Sequence, residues 1–192
     1  MKNILLIPVG GTICTEVNDI GTLSVSKTAG IKLKSYFEDS DSLYAKKVNI
    51  EVAENLCILS ENMTVAKWNV IIDTYRKYTK TKKYDGIIFA HGTDTLAYSA
   101  ALFSILLSAT DTPVFFVSAN ERLESPRSNG NDNFRCAVEC IARGIKPNVY
   151  VTYKNLSDNR MYLHLASRIE QCKNYSEDFY SVGAIDITSG EP

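Results

Sequence analysis

Lys2-Asn3-Ile4-Leu5-Leu6-Ile7-Pro8-Val9-Gly10-Gly11-Thr12-Ile13 opens the chain and decides how the rest folds. The apolar run at 4–9 shows no alternation of polar and apolar residues. That is the pattern of a strand covered on both faces. Two glycines follow, which let the backbone turn sharply where the strand ends. The design returns at Gly86-Ile87-Ile88-Phe89-Ala90-His91-Gly92-Thr93-Asp94-Thr95. A second buried strand, 86–90, runs into a glycine, two threonines and an acid, and then into a helical pattern.

The same logic extends outward. Residues 48–52 alternate and form a strand, and 114–117 and 149–153 are further buried strands. Between them, Thr64 is placed to cap a helix on which Val65, Trp68, Ile71, Ile72 and Tyr75 recur at helical spacing. Residues 95–107 are apolar on most sides and predict a well-buried helix. Residues 133–143 predict another, stopped by Gly144, and 31–37 a weaker one. Strand and helix alternate, so the expected fold is α/β: a mainly parallel sheet with helices on both faces, a flavodoxin-like three-layer sandwich. Residues 14–28 are polar and without period, the signature of a long loop.

Composition narrows the function classes. The chain has 192 residues, 45% of them hydrophobic and 22% charged, which suits one domain with a substantial core. The net charge of −1 argues against nucleic acid as a partner. The locally basic stretch at 79–83 reads as a solvated helix end. No apolar run reaches the roughly 20 residues a membrane span requires. The apolar start is too short for a signal peptide and lacks a cleavage pattern, so a cytoplasmic protein is expected. Five cysteines, an odd number without a Cys-x-x-Cys pair, read as free thiols in a reducing compartment. Cys136 and Cys140 lack a nearby histidine and make a poor metal site. No metal ion and no cofactor are expected. Domain boundaries are drawn as 1–184 for the α/β domain and 185–192 for the start of an interdomain linker, with a carboxy-terminal domain beyond.

Ligands of parallel α/β sheets bind beyond the carboxyl ends of the strands. Three such ends carry chemistry. Gly10-Gly11-Thr12 presents a hydroxyl after the first strand. Gly92-Thr93-Asp94 adds a second hydroxyl, a carboxylate and the N–H donors of a helix start. Ser60-Glu61-Asn62 adds a third polar end. The alternative readings are a tight turn, a helix cap and a helix approach, with His91 as a buried structural histidine. Together the three ends would surround a small zwitterion, and a threonine near a threonine–acid pair suits amide cleavage. The Gly-x-Gly-x-x-Gly and Walker patterns of nucleotide binders are absent.

With those residues in view, the sequence resembles the bacterial-type L-asparaginases and the related amidotransferase subunit that feeds ammonia to tRNA amidation. Gly10-Gly11-Thr12-Ile13 and His91-Gly92-Thr93-Asp94-Thr95 are similar to the two family signatures, in the same order and about eighty residues apart. Ser60-Glu61-Asn62-Met63 falls where the family has its substrate loop, and Arg127-Ser128-Asn129-Gly130 resembles a segment of the cytoplasmic group. The resemblance implies an asparaginase amino-terminal domain. Thr12 would be the nucleophile, Thr93 the second catalytic hydroxyl, and the Thr93 amide an oxyanion donor. Asp94 and Glu61 would hold the substrate ammonium and Ser60 its carboxylate, with Gly11 and Gly92 lining the pocket. It further implies asparagine or aspartate as ligand and a homo-oligomer in full-length form. Two positions depart from the family. Its loop tyrosine corresponds to Thr22 and its activating lysine, by an ungapped count from Asn159-Arg160, to Leu163. Leucine cannot activate a hydroxyl. The family also builds part of its site from the carboxy-terminal domain of a neighbouring subunit, so the isolated domain is expected to lack normal activity. A binding relative without turnover and an ammonia-supplying amidotransferase component stand as the alternatives.

Overall fold

The computed structural model describes residues 1–17, 23–26 and 28–189. β1 (Lys2–Pro8) leads through one 3-10 turn (Thr12–Cys14) into a short hairpin, β2 (Thr15–Val17) and β3 (Leu23–Val25). Then come α1 (Ala29–Glu38), β4 (Val48–Val52), α2 (Val65–Thr81), β5 (Gly86–Ala90), α3 (Leu96–Leu106), β6 (Val114–Val117), α4 (Gly130–Arg143) and β7 (Val149–Lys154). The chain folds back as β8 (Met161–Leu165), β9 (Ile169–Glu170), β10 (Tyr180–Ser181) and β11 (Ile185–Asp186).

Seven strands make one sheet in the order β11-β8-β7-β6-β5-β1-β4. Strands β4, β1, β5, β6 and β7 run parallel, whereas β8 and β11 are antiparallel additions at one edge. This is the mainly parallel α/β architecture that the buried strand runs predict. Helices cover both faces, and the strand residues divide between them with period two. Ile4, Leu6, Ile88, Phe115 and Val117 pack with Leu33 and Phe37 of α1 and Phe134 and Val138 of α4. Leu5, Ile7, Phe89, Phe116 and Val151 pack with Ile71 of α2 and Leu96, Ala100 and Phe103 of α3. Phe89 stacks on Phe116 with ring centroids 4.8 Å apart at the centre of that second layer.

Three departures from the sequence reading have physical causes. α3 buries only Leu96, Ala97, Ser99, Ala100 and Phe103. Its Tyr98, Ile105 and Leu106 stay exposed among the described residues, because a helix lying on a sheet buries one stripe and leaves the rest. Part of the expected loop at 14–28 is the β2–β3 hairpin, with Thr15 opposite Val25. The strands after residue 160 are five residues long or shorter, and the last three have two residues each, too few to show a period. The boundary drawn at 184/185 falls just before β11, whose Ile185 pairs with Leu163, and nearby Ile187 is buried. Among the described residues no helix is long and apolar enough to cross a membrane.

Candidate active site

β1 and β5 are parallel neighbours with Pro8 opposite Ala90, so the loops that leave them emerge side by side on the carboxyl rim. The backbone bonds continue past the strands. Val9 N–H donates to the Ala90 carbonyl at 2.8 Å, and Ile58 N–H donates to the Val9 carbonyl at 2.8 Å. The segment after β4 is thereby drawn to the same rim. Thr12, Ser60 and Gly92-Thr93-Asp94 therefore lie on three adjacent chain crossings.

Gly11 has φ 76° and ψ −170°, a region essentially restricted to glycine. It starts the 3-10 turn from which Thr12 projects half-buried, while Ile13 and Cys14 anchor the turn in the core. The Gly11 carbonyl accepts from Cys14 N–H and from the Thr15 hydroxyl, both at 2.9 Å, which holds the turn closed. Gly92 is wedged between two of the loops. A Cβ on it would collide with the Ser60 side chain and press on the Cα of Gly11. The glycines of both motifs serve this close approach.

Ser60 is 2% exposed, and its hydroxyl donates to the Asp94 carboxylate at 2.5 Å. Its carbonyl accepts from the Thr95 hydroxyl at 3.0 Å. Thr95 and Asp94 are thus spent across the rim on the Ser60 loop. Neither caps α3, whose N-cap residue Thr95 makes no side-chain capping bond. Thr64, by contrast, does cap α2, accepting from Lys67 N–H at 3.4 Å. Asp94 and Glu61 are exposed and Thr93 half-buried.

The side chain next to Thr93 is one that the sequence did not mark. Gln171, just after β9, donates its amide to the Thr93 carbonyl at 2.8 Å and accepts from Ala97 N–H at 3.4 Å. It caps α3 from outside the helix. Leu163 sits elsewhere. It is buried on β8, opposite Thr152 and Ile185, with β7 and β6 between its strand and β5. Counting without gaps from Asn159-Arg160 therefore does not reach the neighbourhood of Thr93. A short-strand excursion intervenes, and no local signal announces it. Thr22, at the counted tyrosine position, lies outside the described residues.

His91 is wholly buried, and burial pushes its imidazole down to about 4. Its Nδ1 is bonded to the Gly92 carbonyl at 2.8 Å. Asn129, from the Arg127-Ser128-Asn129-Gly130 segment, is structural. It exchanges bonds with Asn120 and donates to the Lys154 carbonyl at 2.8 Å, tying the ends of β6 and β7 to the start of α4. A separate groove lies between α4 and β8, where Cys136, Cys140, Met161 and Ile187 line it. Its charged walls pair among themselves, Arg135 with Glu139 and Lys154 with Asp132. No cluster of three histidine, cysteine or acidic residues among the described residues could hold a metal ion.

The rim thus combines two hydroxyls and an acid, an arrangement able to bind a small polar ligand. Residues 3–187 match the family described as Asparaginase, N-terminal. The chain is 31% identical over 188 residues to a glutamyl-tRNA(Gln) amidotransferase subunit of Halobacterium salinarum, covering 97% of this chain and 43% of that protein. It is 29% identical over 188 residues to the corresponding protein of Thermoplasma volcanium, covering 97% and 44%. Among solved structures it is similar to the thermostable L-asparaginase from Thermococcus kodakarensis, with TM-score 0.76, 22% identity and coverage of 96% of this chain and 52% of that one. It is also similar to L-asparaginase I from Vibrio cholerae, with TM-score 0.71, 26% identity and coverage of 97% and 52%. The chain spans under half the length of these two amidotransferase relatives. The match runs from β1 to just past β11, and the chain belongs to the asparaginase family, in the part described as its amino-terminal domain.

Proposed function

We propose that this chain is the nucleophile-bearing domain of an amidohydrolase that converts L-asparagine to L-aspartate and ammonia. The apposition of Gly11 and Gly92, the residues just before Thr12 and Thr93, is the observation that supports the reading. Thr12 Oγ would attack the side-chain carbonyl carbon. The Thr93 N–H would stabilise the tetrahedral oxyanion, the proton given up by the Thr12 hydroxyl would pass to the leaving nitrogen so that ammonia departs, and water would hydrolyse the resulting ester. Asp94 and Glu61 suit the substrate ammonium. Ser60 would turn from Asp94 to the substrate carboxylate on binding. The Gln171 carboxamide would hold the Thr93 backbone in place through its bond to the carbonyl. A following domain, a homo-oligomeric assembly and a cytoplasmic setting belong to the same proposal.

The test is ammonia release from L-asparagine by the full-length protein, compared with its Thr12→Ala variant. Release that disappears on substitution supports the reading, and release that survives it removes Thr12 as nucleophile. A second reading follows from the amidotransferase relatives: the site would supply ammonia to a partner enzyme. Release that requires such a partner would favour it.

A further inference from the structure

His91 takes no part in the chemistry proposed above, yet its placement is costly unless it does something. The ring is 0% exposed, lies edge-on to Phe116 at 5.9 Å between centroids, and has no partner at Nε2 among the described residues. A phenylalanine or leucine would fill such a space without burying a polar nitrogen. What carbon cannot supply is the bond at the other nitrogen. A carbonyl oxygen only accepts, so the 2.8 Å contact with Gly92 O requires the proton on Nδ1.

The peptide plane transmits that bond. The Gly92 carbonyl and the Thr93 N–H belong to one rigid unit and point in opposite directions across it. Fixing the carbonyl toward the buried ring fixes the N–H away from it, toward the rim. Gly92 has no latitude to drift, since Gly11 and Ser60 close on its other sides. His91 is itself fixed, its N–H donating to the Val117 carbonyl at 2.9 Å.

We infer that His91 is a positioning residue: through its Nδ1–H bond to the Gly92 carbonyl it orients the Gly92–Thr93 peptide so that the Thr93 N–H faces the reacting oxygen. The inference rests on the amidohydrolase reading. It adds that the oxyanion donor is preorganised from below by a buried neutral imidazole. Its role is distinct from that of a general base, because the ring has no route to solvent and its one proton is committed to the backbone. It also explains why imidazole sits in a buried position just after β5 that an apolar residue would otherwise fill.

Two substitutions and one measurement on the unmodified protein test it. In His91→Asn the side-chain amide can stand where Nδ1–H stands, whereas His91→Leu keeps the volume and removes the donor. In the full-length protein, His91→Leu should lower kcat about 10²-fold, the loss typical of a missing oxyanion donor. KM should stay within about threefold of the parent, because ground-state binding does not use that N–H. His91→Asn should recover most of the loss. Equal rates for the Leu and Asn variants, or a change confined to KM, would overturn the inference. Should the Leu variant fail to fold, imidazole nitrogen NMR of the parent protein decides. Protonation at Nδ1 with a bare Nε2 and a measurable coupling from Nδ1–H to the Gly92 carbonyl is the expected result, and a ring protonated only at Nε2 contradicts it. A parent protein that releases no ammonia defeats the amidohydrolase reading alone, since the NMR result still judges the placement of Gly92.

Discussion

The Cα of Gly92 occupies the place that a side chain on Gly11 would take. Two loops eighty residues apart in sequence touch backbone to backbone, and the hydroxyl-bearing residue after each is thereby brought to a single rim.

Gly11→Ala should therefore be severe. The backbone conformation, with φ 76°, costs about 1–3 kcal/mol for any residue with a Cβ, before the collision is counted. The loops must separate or the protein must unfold. Urea unfolding should show a loss of at least about 2 kcal/mol, and amide hydrolysis should vanish even where folded protein persists. A well-folded, active Gly11→Ala protein would show that the loops do not meet as described.

Ser60→Ala removes the donor at 2.5 Å from Asp94 and the proposed contact to the substrate carboxylate. Asp94 is exposed, so water replaces the lost bond and stability should change by under about 1 kcal/mol. Substrate binding should suffer instead, with KM raised about tenfold or more and kcat changed less. Steady-state kinetics on asparagine check this. An unchanged KM would place the substrate carboxylate elsewhere.

Gln171→Ala breaks the bond to the Thr93 carbonyl and uncaps Ala97 N–H at the start of α3. Two lost hydrogen bonds at a half-buried position should cost about 1–2 kcal/mol of stability, measurable by urea titration. Turnover should fall as well, because Thr93 loses its carbonyl anchor. A variant as stable and as active as the parent would remove Gln171 from the account.

The pH dependence of stability follows from two buried imidazoles. Burial pushes both His91 and His164 down to about 4, whereas in the unfolded chain they titrate near 6.5. Between those values the unfolded chain binds protons that the folded protein refuses. Stability is therefore full above pH 6.5 and is lost as pH falls toward 4. Each imidazole contributes a slope of about 1.4 kcal/mol per pH unit within that window. Urea unfolding at pH values of about 4.5, 5.25 and 6 should show the combined rise, and His91→Asn should remove about half of it. A flat profile would mean that the rings are solvated or already charged.

Much of the architecture is legible in the chain because parallel strands covered on both faces must be apolar throughout, as 4–9 and 86–90 are. Glycine beside threonine after each strand marks the rim, since only glycine permits the approach of Gly11 to Gly92. The segment after residue 160 is opaque. Strands of two residues carry no period, and nothing local links Gln171 to a threonine seventy-eight positions earlier. Leu163 illustrates the same limit: its position along the chain suggests a neighbour of Thr93, whereas strand pairing assigns it to a different part of the sheet. The exposed flank of α3 is hidden for another reason, because apolar composition alone does not say which stripe meets the sheet.

The central claim is that the Thr12 hydroxyl becomes covalently bonded to substrate. The most direct test is rapid acid quenching of the full-length protein during turnover of L-asparagine, followed by mass mapping of its peptides. An aspartyl ester on Thr12, absent from Thr12→Ala, is the predicted result. Ammonia release with no adduct at Thr12, or an adduct on another residue, would contradict it.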